Sequence, residues 1–213
     1  MVHATFELVA RPRRLLLDRP VQLLVGWLKF GWYVPAGVSI EADAYIHGAR
    51  YMKIGEGFHA GPHMWLEAVD RYGNDVTLQH FSPKLIIGRS VSFSWFGHIG
   101  CTHYIEIGDH VLFGSRCYVT DHSHGVYKGT RQDGPDSIPC DRPLTEDGEV
   151  IIGDNVWVGD NTVILPGVHI GRGAIIGANS VVTHDIPSAT IAVGVPARPI
   201  KMWDEELGKW VKY

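Results

Sequence analysis

Cysteine is scarce in this chain. Cys101, Cys117 and Cys140 are the three in 213 residues. They form no CxxC pair and cannot all pair with one another, which excludes a disulfide framework and a zinc knuckle and points to reduced thiols in the cytoplasm. Charge is sparse too: 20% of residues are charged, with 19 Lys and Arg against 23 Asp and Glu, for a net charge of −4. Such a balance excludes a broad basic surface for nucleic acid, while leaving room for a local basic patch around a phosphorylated ligand. Long apolar runs are also missing. Val21 to Tyr33 is apolar and aromatic but contains Gln22 and Lys29, and it is too short to span a bilayer. Arg11, Arg13 and Arg14 precede it, yet Asp18, Arg19 and Pro20 interrupt the run and no small-residue cleavage site follows, so no signal peptide is expected.

What the chain does have is glycine, 25 residues of it, and a repeat of six. Every sixth residue from Ile152 is aliphatic and β-branched: Ile152, Val158, Ile164, Ile170, Ile176 and Val182. Gly153, Gly159, Gly171 and Gly177 follow four of them. Neither a helix, with its period of 3.6, nor an open strand, with its period of 2, repeats at six. A parallel β-helix with about three hexads per turn does, with the sixth-residue aliphatics stacked inside. The glycines are expected at the corners, where positive φ is cheap only for glycine.

The same register opens at Val34, Ile40 and Ile46 and restarts at Ile54 after a slip of two residues. Residues 67 to 84 lose it and carry Gly73, Asn74 and Asp75 as a turn, which predicts a hairpin-like or looped excursion. Ile87, Phe93 and Ile99 resume the register, and after a second slip of two it continues through Ile107, Phe113 and Val119. Residues 120 to 149 are polar, rich in Gly, Pro and Asp, and aperiodic. In a compact repeat fold such a loop is functional or disordered, and the opening Asp121-His122-Ser123-His124 favours function. Pro196 and Pro199 end the hexads, and Trp203 to Val211 reads as a short terminal helix. The expected organisation is therefore an N-terminal cap over 1–33, a β-helix over 34–202 with the 120–149 loop inserted, and a C-terminal helix over 203–213.

The hexads, the Thr120-Asp121-His122 segment and the Gly194-Val195-Pro196-Ala197 segment followed by basic residues resemble the hexapeptide-repeat acyltransferases over roughly residues 34 to 202. The likeness is to their sugar O-acetyltransferase branch, that of the maltose and galactoside acetyltransferases and the polysaccharide-biosynthesis enzymes. The resemblance implies an all-β fold built on a left-handed parallel β-helix, a homotrimer, acetyl-CoA as donor, and a sugar or oligosaccharide hydroxyl as acceptor. It implies no metal and no nucleic-acid partner. Acyl transfer to an alcohol needs a base and donors for the developing oxyanion, and matching by the Thr-x-His pattern makes His122 that base. His124 and Asp121 are then expected beside the acceptor, with His98 near the place where related enzymes bind it through an Asn. Trp157 falls where such enzymes set a Trp next to the catalytic His. For the donor, the match implies Gly159, Asp160, Ala178 and Thr183 along the pantetheine, with Arg198 and Lys201 near the nucleotide phosphates. Asp160 stands where a small hydroxyl residue is common and His184 where a Lys is. Cys117 occupies a small-residue hexad position and is expected to pack rather than to carry an acyl group.

Two other readings compete. His63, His98 and His103 resemble the zinc-ligand spacing of the γ-class carbonic anhydrases, which use the same coil; three imidazoles and a water would make a catalytic zinc site. A non-catalytic binding scaffold of the same fold would leave His122 without a task. Residues 1–33 are open as well: a lid on the coil, or a peripheral membrane contact through residues 14–33 using Trp27, Trp32, Tyr33 and the flanking arginines.

Overall fold

The computed structural model describes residues 35–74, 77–146 and 148–213, with Glu146 described by its backbone. The expected cap over 1–33, its candidate membrane contact and Val34 lie outside the described residues.

Three parallel sheets form the body, and the chain visits them in strict rotation. The first face runs from Ser39–Ile40 through His59–Ala60, Ser92–Phe93, Leu112–Phe113, Trp157–Val158 and Ile175–Ile176 to Thr190–Gly194. The second contains Tyr45–His47, Trp65–Ala68, His98–Cys101, Tyr118–Thr120, Val163–Ile164 and Val181–Val182; the third contains Met52–Ile54, Lys84–Ile87, Tyr104–Ile107, Val150–Ile152 and His169–Ile170. Two 3-10 turns, Ala49–Tyr51 and Pro139–Asp141, are the only helical pieces among the described residues.

Register explains why six is the repeat. On the second face Leu66, Ile99 and Val119 are paired in line, followed by Ile164 and Val182. On the third, Ile54, Ile87, Ile107, Ile152 and Ile170 are aligned in the same way. The first face carries Phe93 and Phe113, whose rings stack at 4.0 Å. Nearly all of these side chains are fully buried, and each contributes roughly 1.5–3 kcal/mol of transfer free energy. One hexad buries only one or two apolar side chains, as Ile152 with Val156 or Ile164 with Val168, so the stack is stable only as a whole.

Glycine serves the corners in two ways: Gly57, Gly167 and Gly173 supply the expected positive φ, whereas Gly153 and Gly159 do not. There that conformation falls two residues later, at Asn155 (φ 56°) and Asn161 (φ 55°). Gly153 and Gly159 are needed because the next coil lies against them: a β-carbon on Gly159 would stand 2.6 Å from the Ala178 backbone nitrogen, and one on Gly153 would stand 2.7 Å from that of Arg172.

The register slips have one location. Ile46 to Ile54 and Ile99 to Ile107 both pass from the second face to the third, and so do the excursions between Leu66 and Ile87 and between Val119 and Ile152. One corner of the coil therefore carries every insertion. The first excursion is an antiparallel hairpin pairing Arg71–Tyr72 with Gln79–His80, as the turn chemistry predicts. The second is stemmed by His122–His124 pairing antiparallel with Leu144–Glu146.

The C-terminus corrects the expected helix. Ala197–Asp204 runs antiparallel to Thr190–Gly194, and Lys209–Lys212 runs antiparallel to Ala197–Asp204. Asp204 Oδ1 accepts the Leu207 N–H at 2.8 Å, and Gly208 takes φ 59° to close the turn. The cross-strand rings of Trp203 and Trp210 then meet edge to face at 5.4 Å. Turn chemistry and an aromatic pair outweigh the weak helical propensity of Glu205-Glu206-Leu207, and the strand crosses the boundary expected at residue 202.

Candidate active site

Thr120, Asp121 and His122 sit where the coil leaves the second face for its long loop. Asp121 is completely buried. Its carboxylate accepts the backbone N–H groups of Thr102, His103 and Tyr104 at 2.8–3.1 Å and the Thr102 hydroxyl at 3.1 Å. These donors belong to the tight turn one coil earlier, where the second face gives way to the third. Burial pushes the Asp121 carboxyl up, but its hydrogen bonds with His122, Thr102 and His103 outweigh that and hold it below the usual carboxylate range. It is ionised at neutral pH.

His122 Nδ1 lies 3.0 Å from Asp121 Oδ1 and 3.2 Å from the Thr120 hydroxyl. An ionised carboxylate can only accept, so Nδ1 carries a proton, and in the neutral ring Nε2 is the nitrogen with the lone pair. The imidazole lies over Gly100, where a β-carbon would stand 3.2 Å from His122 Cε1 and 3.8 Å from the Tyr118 hydroxyl. Glycine at 100 thus makes room for the ring, and Tyr118 joins the site. Asp121 was expected beside the acceptor. Its carboxylate is fully buried, with its oxygens engaged by the 102–104 turn and His122.

His124, two residues along the same strand, meets Tyr72 of the hairpin. Burial, then the neighbouring His122, lowers the pKa of His124 below the usual histidine value. His98 lies on the second face between the rings of Trp65 (4.8 Å) and Tyr118 (4.7 Å), one strand away from Tyr118. Its Nε2 is 3.5 Å from Glu67 Oε2, and the Glu67 carboxyl is lowered by that imidazole. The strand pairing therefore brings His98 and Tyr118 together beside the Gly100 floor on which His122 rests.

Trp157 is half exposed on the first face, paired with Leu112 and Ile175. It is not brought to His122 within one chain. Gly159, Asp160 and Ala178 gather at the corner between the first and second faces. Asp160 Oδ1 accepts the Ser115 N–H at 2.5 Å, which commits that oxygen to closing the corner; Asp109 does the same for Arg89 and Asp154 for Asp109. Thr183 lies at the far end of the second face, its hydroxyl 2.7 Å from His184 Nδ1. Arg198 and Lys201 lie on the antiparallel strand that extends the first face, and Arg198 Nη1 donates to the Ala197 carbonyl at 3.0 Å. The six donor-side residues are thus spread over one corner, the opposite end of a face and the C-terminal strand.

The zinc reading does not assemble within the chain. His63 stacks on Phe96 at a corner and pairs with Asp43 at 3.0 Å. His98 lies between Trp65 and Tyr118, and His103 belongs to the turn that binds Asp121. Among the described residues no three His, Cys, Asp or Glu side chains are placed to hold a metal ion. Cys117 is buried, its thiol pushed up to about 11 by burial, and its sulfur donates to the Gly159 carbonyl at 3.3 Å. Also among the described residues, no helix is long and apolar enough to cross a membrane.

Sequence reasoning missed Tyr72, Gln79, Glu67 and Tyr118. A signal existed for Tyr118: it precedes the inner Val119 as His98 precedes the inner Ile99, so hexad register alone sets the two side by side. None existed for Tyr72 and Gln79, whose contacts cross from one insertion to the other.

The chain is thus a three-faced parallel coil with a carboxylate-held imidazole at its interrupted corner. The family described as bacterial transferase hexapeptide (six repeats) matches residues 149–184, and that described as hexapeptide repeat of succinyl-transferase matches 104–127. The Escherichia coli K12 protein WbbJ, named as a lipopolysaccharide biosynthesis O-acetyl transferase, is 34% identical over 173 residues, covering 81% of this chain and 83% of that protein. The galactoside O-acetyltransferase of the same organism is 36% identical over 121 residues, 57% of this chain and 55% of that one. Among solved structures, an N-acyltransferase mutant from Bacillus cereus, in complex with dTDP-4-amino-4,6-dideoxyglucose and coenzyme A, shares the fold with a TM-score of 0.61 at 23% identity, covering 89% of this chain and 90% of that one. A maltose O-acetyltransferase from Clostridium difficile does so with a TM-score of 0.53 at 23% identity, covering 91% and 90%. The chain belongs to the hexapeptide-repeat transferase family and is an acetyltransferase of it.

Proposed function

We propose that this enzyme moves an acetyl group from acetyl-CoA to a hydroxyl of a sugar, in the assembly of a bacterial surface polysaccharide, with His122 as general base. The observation that carries this reading is the Asp121–His122 pair: a buried, ionised carboxylate holds a proton on Nδ1 and makes Nε2 the basic nitrogen of the neutral ring. Nε2 takes the proton of the acceptor hydroxyl as its oxygen attacks the acetyl carbonyl. Asp121 stabilises the imidazolium so formed, as a carboxylate does in a catalytic triad. The tetrahedral intermediate collapses with breakage of the carbon–sulfur bond, and coenzyme A leaves as a thiolate whose ordinary pKa is about 8.5. The proton on His122 returns to that sulfur. No acyl-enzyme is required, and the buried, raised thiol of Cys117 is ill suited to form one.

In this reading the coil is left-handed, the enzyme is a cytoplasmic homotrimer, and each site lies between adjacent subunits. His122 from one subunit then meets Trp157 from its neighbour, which accounts for their separation within the chain, one in the loop's stem and the other on the first face. Gly159, Ala178 and Thr183 line the pantetheine through backbone and hydroxyl groups, Asp160 keeps its corner role, and Arg198 and Lys201 supply positive charge for the phosphates. His98, beside Tyr118, contacts the acceptor. The surface-polysaccharide assignment is supported by the likeness to the Escherichia coli lipopolysaccharide biosynthesis protein.

The test is acceptor-dependent thiol release from acetyl-CoA across a panel of methyl glycosides and nucleotide sugars. Wild type should release thiol with at least one acceptor and His122→Ala should not; an unchanged acceptor-dependent rate in the variant removes His122 from the mechanism.

A further inference from the structure

The two insertions at the corner between the second and third faces are built onto each other. At the foot of the hairpin, Tyr51 donates to Asp70 Oδ2 at 3.0 Å, and Arg50 pairs with the same carboxylate. Further out, the Gln79 carboxamide donates to the Leu144 carbonyl at 3.0 Å and accepts the Leu144 N–H at 2.7 Å, so one side chain imitates a strand partner for the loop's stem. Next to it, the Tyr72 ring meets His124 edge to face at 5.4 Å. The Tyr72 hydroxyl is 3.3 Å from His124 Nδ1 and 3.4 Å from the Cys140 carbonyl.

That hydroxyl has one proton and two partners. The carbonyl can only accept, so both contacts are hydrogen bonds at once in one arrangement alone: the hydroxyl donates to Cys140, and His124 Nδ1–H donates to the phenol oxygen. His124 Nε2 is then left with a lone pair. Because burial and the nearby His122 lower the pKa of His124, that lone pair is available at neutral pH. His122 and His124 are two apart on one strand, so both side chains project to the same side, about 6.6 Å apart along it. One hexose with its hydroxyls spans such a distance.

We propose that the 71–80 hairpin is the acceptor-selecting element, with Tyr72 as a positioning residue that fixes His124 as the Nδ1–H tautomer, so that its Nε2 accepts a hydrogen bond from a second hydroxyl of the sugar deprotonated by His122. The inference rests on His122 being the base, and it adds the residues that choose among sugars. Gln79 holds the stem in reach, Tyr72 sets the tautomer, and His124 reads the hydroxyl.

Long-range nitrogen–proton NMR on the full chain with 15N-labelled histidine, with His124 assigned by the His124→Gln difference, reads the tautomer without any acceptor. Wild type should show His124 as Nδ1–H, and Tyr72→Phe should convert it to Nε2–H. With methyl β-D-galactopyranoside as acceptor, Tyr72→Phe and Gln79→Ala should each raise the acceptor KM by about tenfold while leaving kcat and the acetyl-CoA KM within about twofold, the signature of a lost hydrogen bond in substrate binding. Wild-type His124 found as Nε2–H overturns the proposal, and so does an acceptor KM indifferent to Tyr72→Phe. If wild type does not acetylate this galactoside, the choice of acceptor has failed, and the tautomer measurement alone decides the role of Tyr72.

Discussion

Asp121 and His122 are neighbours in the chain, yet their side chains also meet, Oδ1 to Nδ1 at 3.0 Å, with the carboxylate fully buried and the imidazole mostly buried beside Gly100. The carboxylate is held by backbone donors of a turn one coil away, so the base is anchored to the rigid coil although it opens the most irregular segment. Replacing Asp121 with Asn keeps the size and removes the charge. The amide NH2 would then face Thr102, His103 and Tyr104 N–H groups or the imidazole, and Nδ1–H would no longer be enforced. Asp121→Asn and His122→Ala are each expected to lower kcat by about 10²- to 10⁴-fold, measured by thiol release at saturating acetyl-CoA. A loss in Asp121→Asn confined to KM sinks the orienting role.

The same carboxylate sets a pH dependence of stability. Its folded pKa is depressed, so its stabilising contribution is fully present above the unfolded aspartate value, about 3.9. That contribution is lost as pH falls through the folded value, where the carboxylate protonates and the backbone donors lose an anionic partner. Thermal melts of wild type and Asp121→Asn should differ by a constant amount from about pH 5 to 7 and converge below about pH 4. A gap that widens in acid contradicts the sign of the shift.

Gly100 separates chemistry from stability. It lies in an ordinary strand conformation, and an added β-carbon would stand 3.2 Å from His122 Cε1, where the ring must give way by a few tenths of an ångström. Gly100→Ala is therefore expected to cost catalysis while moving Tm by little. At Gly159 the clash is with backbone, 2.6 Å from the Ala178 nitrogen, and overpacking of this kind costs about 1–3 kcal/mol. Gly159→Ala should lower Tm by several degrees. Kinetics and melting of the two variants check the contrast, and equal loss of Tm in both would count against it.

Much of this was legible in the residues because the coil is periodic. Six-residue spacing places Ile152 and Ile170, three hexads apart, in one column before any coordinates are known, and a slip in that spacing marks where an insertion leaves. His122 was singled out by the likeness of Thr120-Asp121-His122 to the sugar O-acetyltransferases, just past the break after Val119; the break alone would have left it a loop histidine. The Asp121 role was not readable, since nothing in Asp-His says that the carboxylate turns inward to three N–H groups of another coil. Nor were Tyr72 and Gln79, because aperiodic segments carry no register and their mutual contacts depend on two insertions leaving the same corner. The C-terminal hairpin was missed for a related reason: Trp203 and Trp210 specify a cross-strand pair only if Asp204 and Gly208 turn the chain, and a helical reading of the same residues satisfies the sequence equally well.

Thiol chemistry follows burial. Cys101 and Cys117 are buried and Cys140 is exposed; burial pushes the Cys101 thiol up and that of Cys117 to about 11. A thiol reagent at pH 8 should modify Cys140 alone in the folded protein and all three after denaturation. Blocking Cys140 should leave the chemical step intact. Fast labelling of Cys117 in the native enzyme would reopen a covalent route.

His122, in the loop's stem, and Trp157, on the first face, are held apart within one chain, and the proposed trimer therefore predicts a site shared between subunits. If each site takes its base from one subunit and its indole from the next, His122→Ala and Trp157→Ala subunits are each inactive in pure form but complement one another when mixed. In a trimer assembled at random from equal amounts, an interface is intact only when its base comes from a Trp157→Ala subunit and its indole from a His122→Ala subunit. Those two choices are independent, so about a quarter of interfaces should be whole. Co-refolding the two variants should therefore restore about a quarter of wild-type kcat per site, and separately refolded variants mixed without exchange should restore none. Sites contained within single chains would show no recovery in either experiment, because every chain would carry one of the two lesions.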